Sequence, residues 1–273
     1  MSEVLKRLQE ATDFIRGKTS LIPEVAIVLG SGLTDVVKEV EVDITIDYED
    51  IPNFPVSTVE GHSGKLLLGT WNGKRVVVMS GRFHYYEGYS MEQVTFPVRV
   101  MKQLGAQTIC ITNASGGLNP EFKVGELMVV TDHINLNSDN PLRGANSNEL
   151  GPRFPDQHAV YDKVLIGKAN EIAVQHRIKL HRGVYVGVPG PTFETPSEYK
   201  YMRTIGGDAV GMSTVPEVIV AHHAGMRIFC VSVICDEGNP AVPKKITHQD
   251  VVEAAREAEP KITTILRELL SYA

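Results

Sequence analysis

Short apolar runs recur along the chain, and they constrain the fold more than any other feature. Most of them lack the alternation of apolar and polar residues that marks a strand with one face in water, which is typical of strands buried on both faces. They lie at 25–29, 76–79, 108–112, 127–131, 184–188 and 228–234. The runs therefore predict a central β-sheet with a large parallel component.

Helix signals fall between these runs. Each is a Ser or Thr followed three residues later by Gln, Glu or Asp, the pattern of a capping box or a close variant of it. The pairs are Ser90 with Gln93, Thr195 with Glu198, Thr214 with Glu217, and Thr247 with Asp250. The last pair opens a segment with apolar residues at helical spacing, in which we expect Pro260 to kink or interrupt the helix.

The stretch 135–158 is rich in Asn, Pro and Gly without periodicity, which indicates a long loop. Loops longer than about 15 residues in compact domains tend to be functional.

Composition narrows the class of protein. The 273 residues, 42% of them hydrophobic, supply one large core, so we expect a single domain over residues 1–273. With 27 basic against 33 acidic residues and no basic patch, nucleic acid and anionic membranes are poor partners. No apolar run approaches the roughly 18 residues of a membrane span, and no signal-peptide core is present. We expect a cytoplasmic protein with its three cysteines reduced.

Four of the apolar runs end in small or polar residues. The four segments read IVLGSGLTD, VVVMSGRFH, ICITNASGG and SVICDEGNP. In an open α/β sheet, ligands bind outside the carboxyl ends of the strands. These four strand ends are therefore expected to converge on one cleft.

Two of these strand ends carry groups suited to an anion. Ser31 lies between two glycines before a predicted helix, and Ser213 precedes the Thr214 cap. Arg82 offers a planar fork for phosphate oxygens, and His84, two residues on, can point to the same side. Together they predict a phosphate site, although Gly-Ser-Gly can be only a tight turn and a lone His only a structural residue. The dinucleotide, P-loop, serine-hydrolase and zinc-protease motifs are not matched.

Phe193 and Glu194 lie at the turn before the helix that Thr195 caps. An aromatic face beside a carboxylate suits a flat heterocycle that carries N–H donors, such as guanine or hypoxanthine. A hydrophobic staple with a helix-start charge explains the same pair equally well.

Seven segments together resemble a known family over nearly the whole chain. They are GSGL (30–33), EGHSGKL (60–66), GRFHYYEGY (81–89), TNASGGL (112–118), GPRFP (151–155), GPTFET (190–195) and DAVGMSTVPEV (208–218). In this order they resemble the trimeric purine nucleoside phosphorylases. The resemblance implies an α/β fold around a mixed, largely parallel twisted sheet flanked by helices. It also implies a homotrimer with active sites at subunit interfaces and no metal or organic cofactor, with inorganic phosphate as co-substrate of a purine nucleoside.

The resemblance also assigns residues, position by position. The phosphate ligands would be Ser31, Arg82, His84, Ala114 through its backbone, and Ser213, with His62 near the phosphate entrance. The ribose site would use Tyr86, Met212 and His248, with Phe154 from a neighbouring subunit. The base pocket would use Phe193, Glu194, Val210 and Gly211. We expect His84, Glu194, Asp236 and His248 to be the catalytic side chains.

Asp236 departs from the family pattern. Phosphorylases of 6-oxopurines usually carry an Asn there, bridging ring nitrogen 7 and the 6-oxo group. An ionised Asp accepts from a 6-amino group but repels a 6-oxo oxygen unless it is protonated. Guanosine and inosine are the expected substrates, with a 6-aminopurine nucleoside (adenosine or methylthioadenosine) as the alternative. Against the methylthioadenosine branch stand Glu194, Gly238 and His248, while Asp236 can also be a loop substitution displaced from the base.

Overall fold

A computed structural model describes residues 2–56, 63–238 and 245–273 of the chain. Within these ranges the chain forms nine strands and six α-helices. The strands are β1 (Val25–Val28), β2 (Glu41–Asp47), β3 (Lys65–Trp71), β4 (Lys74–Ser80), β5 (Thr108–Gly117), β6 (Leu127–Asn135), β7 (Leu180–Gly187), β8 (Ala209–Gly211) and β9 (Arg227–Glu237). The helices are α1 (Glu3–Arg16), α2 (Met91–Leu104), α3 (Lys163–Gln175), α4 (Pro196–Thr204), α5 (Val215–His223) and α6 (His248–Leu269).

The strands form one mixed sheet in the order β2-β3-β4-β1-β5-β8-β7-β6-β9. Strand β1 lies between β4 and β5 and is parallel to both. Strand β5 also pairs with β9 in parallel, so the last five strands of this order close into a ring. Antiparallel pairs join β2 to β3, β3 to β4, β5 to β8, and β6 to β9. The predicted α/β fold with a mixed sheet and flanking helices is confirmed.

The core lies where the sequence predicted buried strands. All four residues of β1 are buried, as are all residues of β9 between its two ends. Helix α6 packs on β5 and β9, and α5 packs on α2 and β9. Because both faces of these strands are covered, their side chains are apolar without alternation.

The four predicted helix starts are confirmed: Ser90, Thr195, Thr214 and Thr247 are the N-cap residues of α2, α4, α5 and α6. The loop prediction is also confirmed, since residues 136–162 form no helix or strand.

Pro260 was expected to kink or interrupt the last helix, and the interruption is wrong, because α6 continues through Pro260 to Leu269; the kink stays a prediction. Helix packing outweighs the one hydrogen bond that the proline removes. No helix in the described ranges is long and apolar enough to cross a membrane. The cytoplasmic location stays a prediction.

Candidate active site

A cavity of about 470 Å³ opens where β1, β4, β5 and β9 end. Most of the predicted site residues line it. They are Ser31, Arg82, His84, Tyr86, Ala114, Phe193, Glu194, Val210, Gly211, Met212, Ser213, Asp236 and His248. Convergence follows from topology, since β4, β1, β5 and β9 are successive parallel neighbours whose carboxyl ends share one edge.

Arg82 dominates one end of this cavity. It follows β4, its side chain is 2% exposed, and its Nη1 donates to Ser213 Oγ at 3.0 Å. Its Nε lies 3.3 Å from Glu217 Oε1, and that carboxylate is also buried. A guanidinium fixed in this way beside the Ser213 hydroxyl, in a cavity that Ser31 also lines, favours an anion with several oxygens.

His84 lies beside Arg82 at the same end. Glu87 Oε1 accepts from the His84 backbone N at 2.7 Å and lies 3.3 Å from the ring Nδ1. The ring stacks on Tyr86 with centroids 4.7 Å apart. Burial lowers the pKa of His84, and the Arg82 charge lowers it further against the opposing effect of Glu87. A neutral imidazole with its Nδ1–H towards Glu87 follows, because a carboxylate only accepts.

Two carboxyl groups, those of Glu194 and Asp236, also line the cavity. Burial raises the pKa of Glu194, and a hydrogen bond from Tyr199 partly opposes that rise. Burial first, and then the Glu194 charge, raise the pKa of Asp236 to about 7, against a hydrogen bond from the Gly117 backbone. Phe193 adds a half-exposed aromatic face. This part of the lining therefore combines an aromatic surface with two carboxyl groups whose pKa values are both raised.

Asp236 is held close to the cavity floor. It pairs in register with Gly116 at the end of β9, and a Cβ on Gly116 would lie 3.2 Å from Asp236 Oδ2. Its Oδ1 is buried and has no hydrogen-bond partner within the part of the chain that the structure describes. Asp236 also lines the cavity, so a bound molecule can supply the missing partner. A loop substitution pointing away from the ligand space does not fit this placement.

Comparison with known proteins agrees with this geometry. The model of a protein family described as "Phosphorylase superfamily" matches residues 24–271. Purine nucleoside phosphorylase 1 of Bacillus subtilis is 48% identical over 265 residues, covering 97% of this chain and 98% of that protein. The chain belongs to the purine nucleoside phosphorylases of this superfamily.

Two further relatives support the assignment to the purine nucleoside phosphorylases. The Bos taurus purine nucleoside phosphorylase is 44% identical over 270 residues, covering 96% of this chain and 93% of that protein. A crystal structure of a Schistosoma purine nucleoside phosphorylase in complex with hypoxanthine superposes with a TM-score of 0.92 at 38% identity, covering 97% of this chain and 96% of that one. The chain is thus an enzyme of the purine nucleoside phosphorylase class, and its substrates are a purine nucleoside and phosphate.

Among the described residues, Phe154 is a predicted site residue that does not line the cavity. Phe154 is 87% exposed in the long loop and lies beside a separate hollow with His133 and Arg143. Such exposure of an aromatic ring suits a residue that completes another subunit's site, and that role stays a prediction. His62 lies outside the described residues.

Several residues that shape the cavity were missed by sequence reasoning. The lining also includes Gly30, Glu87, Asn113, Ser115, Gly116, Pro191 and Val251. A local pattern could have indicated Glu87. It stands three residues after His84, which is the N-cap residue of a short 3-10 turn (Tyr85–Glu87). Asn113 lies in ICITNASGG, one of the four strand ends expected at the cleft, but no role was predicted for it.

Proposed function

We propose that this phosphorylase cleaves guanosine, inosine and their deoxy forms with inorganic phosphate, giving free base and (deoxy)ribose 1-phosphate. The observation that carries the proposal is that one cavity is lined both by Arg82 with Ser213 and by Glu194 with Phe193. The sugar would then lie between phosphate and base. Such a reaction would need no metal or organic cofactor.

Glu194 supports the 6-oxopurine preference. Hypoxanthine and guanine carry a proton on ring nitrogen 1, whereas adenine has a lone pair there. An ionised carboxylate only accepts hydrogen bonds, so it pairs with the first and repels the second. Glu194 would anchor the base through this contact.

The proposed reaction balances without any further reactant. A phosphate oxygen attacks the anomeric carbon as the bond to ring nitrogen 9 breaks, and the electron pair of that bond moves into the purine. Arg82, His84 and the hydroxyls of Ser31 and Ser213 would hold the phosphate dianion, which also stabilises positive charge on the sugar. A proton reaching ring nitrogen 7 makes the base a neutral leaving group.

Asp236 supports a second candidate, the phosphorolysis of 6-aminopurine nucleosides. Its buried Oδ1 lacks a partner in the described part of the chain, and an ionised oxygen there would accept from a 6-amino group. When protonated, the same carboxyl can donate to a 6-oxo group, so its pKa near 7 leaves both substrates accessible.

The test is the kcat/KM of inosine, guanosine and adenosine in the wild type, Glu194→Ala and Asp236→Asn. We expect Glu194→Ala to lower kcat/KM for inosine by about 10- to 100-fold, as for a lost hydrogen bond to a charged group, with the KM for phosphate unchanged. Asp236→Asn should lower adenosine turnover and preserve inosine turnover. Wild-type rates on adenosine above those on inosine would replace the first proposal by the second. Ribose as the product instead of ribose 1-phosphate would overturn both.

We further propose that the enzyme is a homotrimer in which Phe154 completes a neighbouring subunit's ribose site. The support is the family resemblance together with the exposure of this ring. Light scattering gives the mass in solution. Phe154→Ala should raise the KM for inosine without changing that mass.

A further inference from the structure

Thr214 has an unusual backbone for its residue type. It has φ of 71° and ψ of −59°, and the Val215 backbone N donates to the Ser213 carbonyl at 2.7 Å. These values describe a γ-turn of the rare, strained kind, and a β-branched residue at positive φ is an outlier. Such conformations persist only where the surrounding structure holds them, and they cluster at functional sites. The turn lies between Ser213, which lines the cavity, and helix α5.

The Thr214 side chain is the centre of a buried hydrogen-bond network. Its Oγ1 accepts from Asn113 Nδ2 at 3.0 Å and from Arg82 Nη1 at 3.4 Å. It also lies 3.1 Å from Ser213 Oγ. Thr214 is fully buried, so no bulk water competes for these contacts. One hydroxyl therefore joins β5, the segment after β4 and the segment after β8.

Counting donors fixes the direction of the network. The amide nitrogen of Asn113 and the guanidinium of Arg82 can only donate, and a hydroxyl accepts through two lone pairs. Thr214 Oγ1 is thus filled as an acceptor and donates its own proton to Ser213 Oγ. Ser213 Oγ also receives Arg82 Nη1 at 3.0 Å, so it too is filled as an acceptor. The Ser213 proton is then directed to an acceptor other than these groups. The buried Tyr185 hydroxyl, which lies within hydrogen-bond reach of Ser213, is one such acceptor, and a phosphate oxygen in the cavity is the other.

Glu217 holds the same turn from behind. Its Oε2 accepts from the Thr214 backbone N at 3.1 Å, and its Oε1 lies 3.3 Å from Arg82 Nε. The carboxylate therefore fixes the backbone of Thr214 and the guanidinium of Arg82 relative to each other. These two contacts of Glu217 do not involve the Thr214 hydroxyl, so the hydroxyl can be removed without breaking them.

We propose that Thr214 is a positioning residue for phosphate, whose hydroxyl orients Ser213 as a donor and aligns Arg82. The inference rests on the phosphate role of Arg82 and Ser213 under the proposed function. No contact between Thr214 and a substrate is required.

The test compares Thr214→Ser with Thr214→Ala, which differ by one oxygen. Steady-state kinetics with inosine give the KM for phosphate, the KM for inosine and kcat. We expect the Ala variant to raise the KM for phosphate about tenfold or more relative to the Ser variant, as for the loss of hydrogen bonds to a charged group. The KM for inosine should differ less than about threefold between the two. If the Ala variant does not fold, Thr214→Cys replaces it, because a thiol keeps the volume and hydrogen-bonds weakly.

Two controls separate this role from a merely structural one. Thr95 is also fully buried, and its Oγ1 donates to the Met91 carbonyl at 2.8 Å within α2, outside the cavity. Thr95→Ala should lower the Tm relative to Thr95→Ser and leave the KM for phosphate unchanged. Ser213→Ala tests the site itself and should raise the KM for phosphate.

The outcomes are distinguishable. An effect of Ser213→Ala on phosphate together with equal phosphate KM values for Thr214→Ser and Thr214→Ala would overturn the inference alone. No effect of Ser213→Ala on phosphate would overturn the proposed phosphate site and the inference with it. The positioning role is supported if Thr214→Ser keeps the low KM for phosphate that Thr214→Ala loses, with no matching difference in the KM for inosine.

Discussion

We expect Asp236 to make the choice of base depend on pH. The residue is 7% exposed, and burial with the nearby Glu194 charge raises the pKa of its carboxyl to about 7. Below that pH the protonated carboxyl donates to a 6-oxo oxygen. Above it the ionised carboxylate accepts from a 6-amino group and repels the 6-oxo oxygen. Selectivity for inosine over adenosine should therefore fall as pH rises.

The size of the effect follows from the titration. For a group with a pKa of about 7, the ratio of protonated to ionised carboxyl falls about 100-fold between pH 6 and pH 8. If each form serves one base, the inosine-to-adenosine ratio of kcat/KM falls by up to about 100-fold, or about 2.7 kcal/mol. The ratio is informative because groups that act equally on both substrates, such as those holding phosphate, cancel in it.

The assay measures kcat/KM for both nucleosides at saturating phosphate from pH 6 to pH 8 in the wild type and in Asp236→Asn. The Asn variant does not titrate, so any pH dependence that it retains comes from other groups, Glu194 above all. We expect its selectivity to change much less than that of the wild type. Parallel pH profiles in the two proteins would refute the role of the Asp236 proton.

Three further predictions concern the stability and packing of the site. The pKa of Asp236 rises from 3.8 to about 7 on folding. The contribution of its protonated carboxyl to the free energy of unfolding is therefore fully present below pH 3.8 and falls by about 4 kcal/mol as the pH rises to 7. In urea unfolding, Asp236→Asn should thus gain stability relative to the wild type between pH 4 and pH 8, and an equal difference at both pH values would contradict this. Glu217→Gln breaks the buried pair with Arg82 and should cost about 3 kcal/mol in the free energy of unfolding, whereas Glu171→Gln, at an exposed pair with Lys168, should cost under about 1 kcal/mol. Gly238→Ala places a Cβ 2.4 Å from Cε1 of Tyr199, which hydrogen-bonds Glu194, so it should raise the KM for nucleoside and not for phosphate. As a control, the new Cβ of Gly167→Ala in α3 meets no atom within 4 Å, so this variant should raise the free energy of unfolding by about 1 kcal/mol with unchanged kinetics.

The ends of the buried strands could be predicted well because a strand covered on both faces is a continuous apolar run in the local sequence. The runs at 25–29 and 228–234 need no knowledge of their neighbours to be recognised as core strands. Strand β3 was missed although most of its residues are buried. Strand β2 was missed because its side chains are largely exposed, and β8 because three residues give no period. Their positions are set by pairing with β3, β5 and β7, which is a property of the whole sheet.

The charges of the site could be predicted as residue types but not as a network. Glu217 was recognised as a helix-capping residue from its distance to Thr214, yet nothing local indicates that its second oxygen faces Arg82. The raised pKa of Asp236 likewise depends on burial and on Glu194, which is remote in sequence. Burial and long-range pairing arise only when the fold brings these segments together.

The central claim is that one cavity holds phosphate beside Arg82 and Ser213 and a purine beside Glu194 and Asp236. A crystal structure with phosphate and hypoxanthine tests it most directly. We expect phosphate oxygens within about 3 Å of the Arg82 guanidinium and the Ser213 hydroxyl, ring nitrogen 1 on Glu194, and an Asp236 oxygen within about 3 Å of ring nitrogen 7. Hypoxanthine bound away from Glu194 and Asp236, or phosphate bound away from Arg82, would contradict the account.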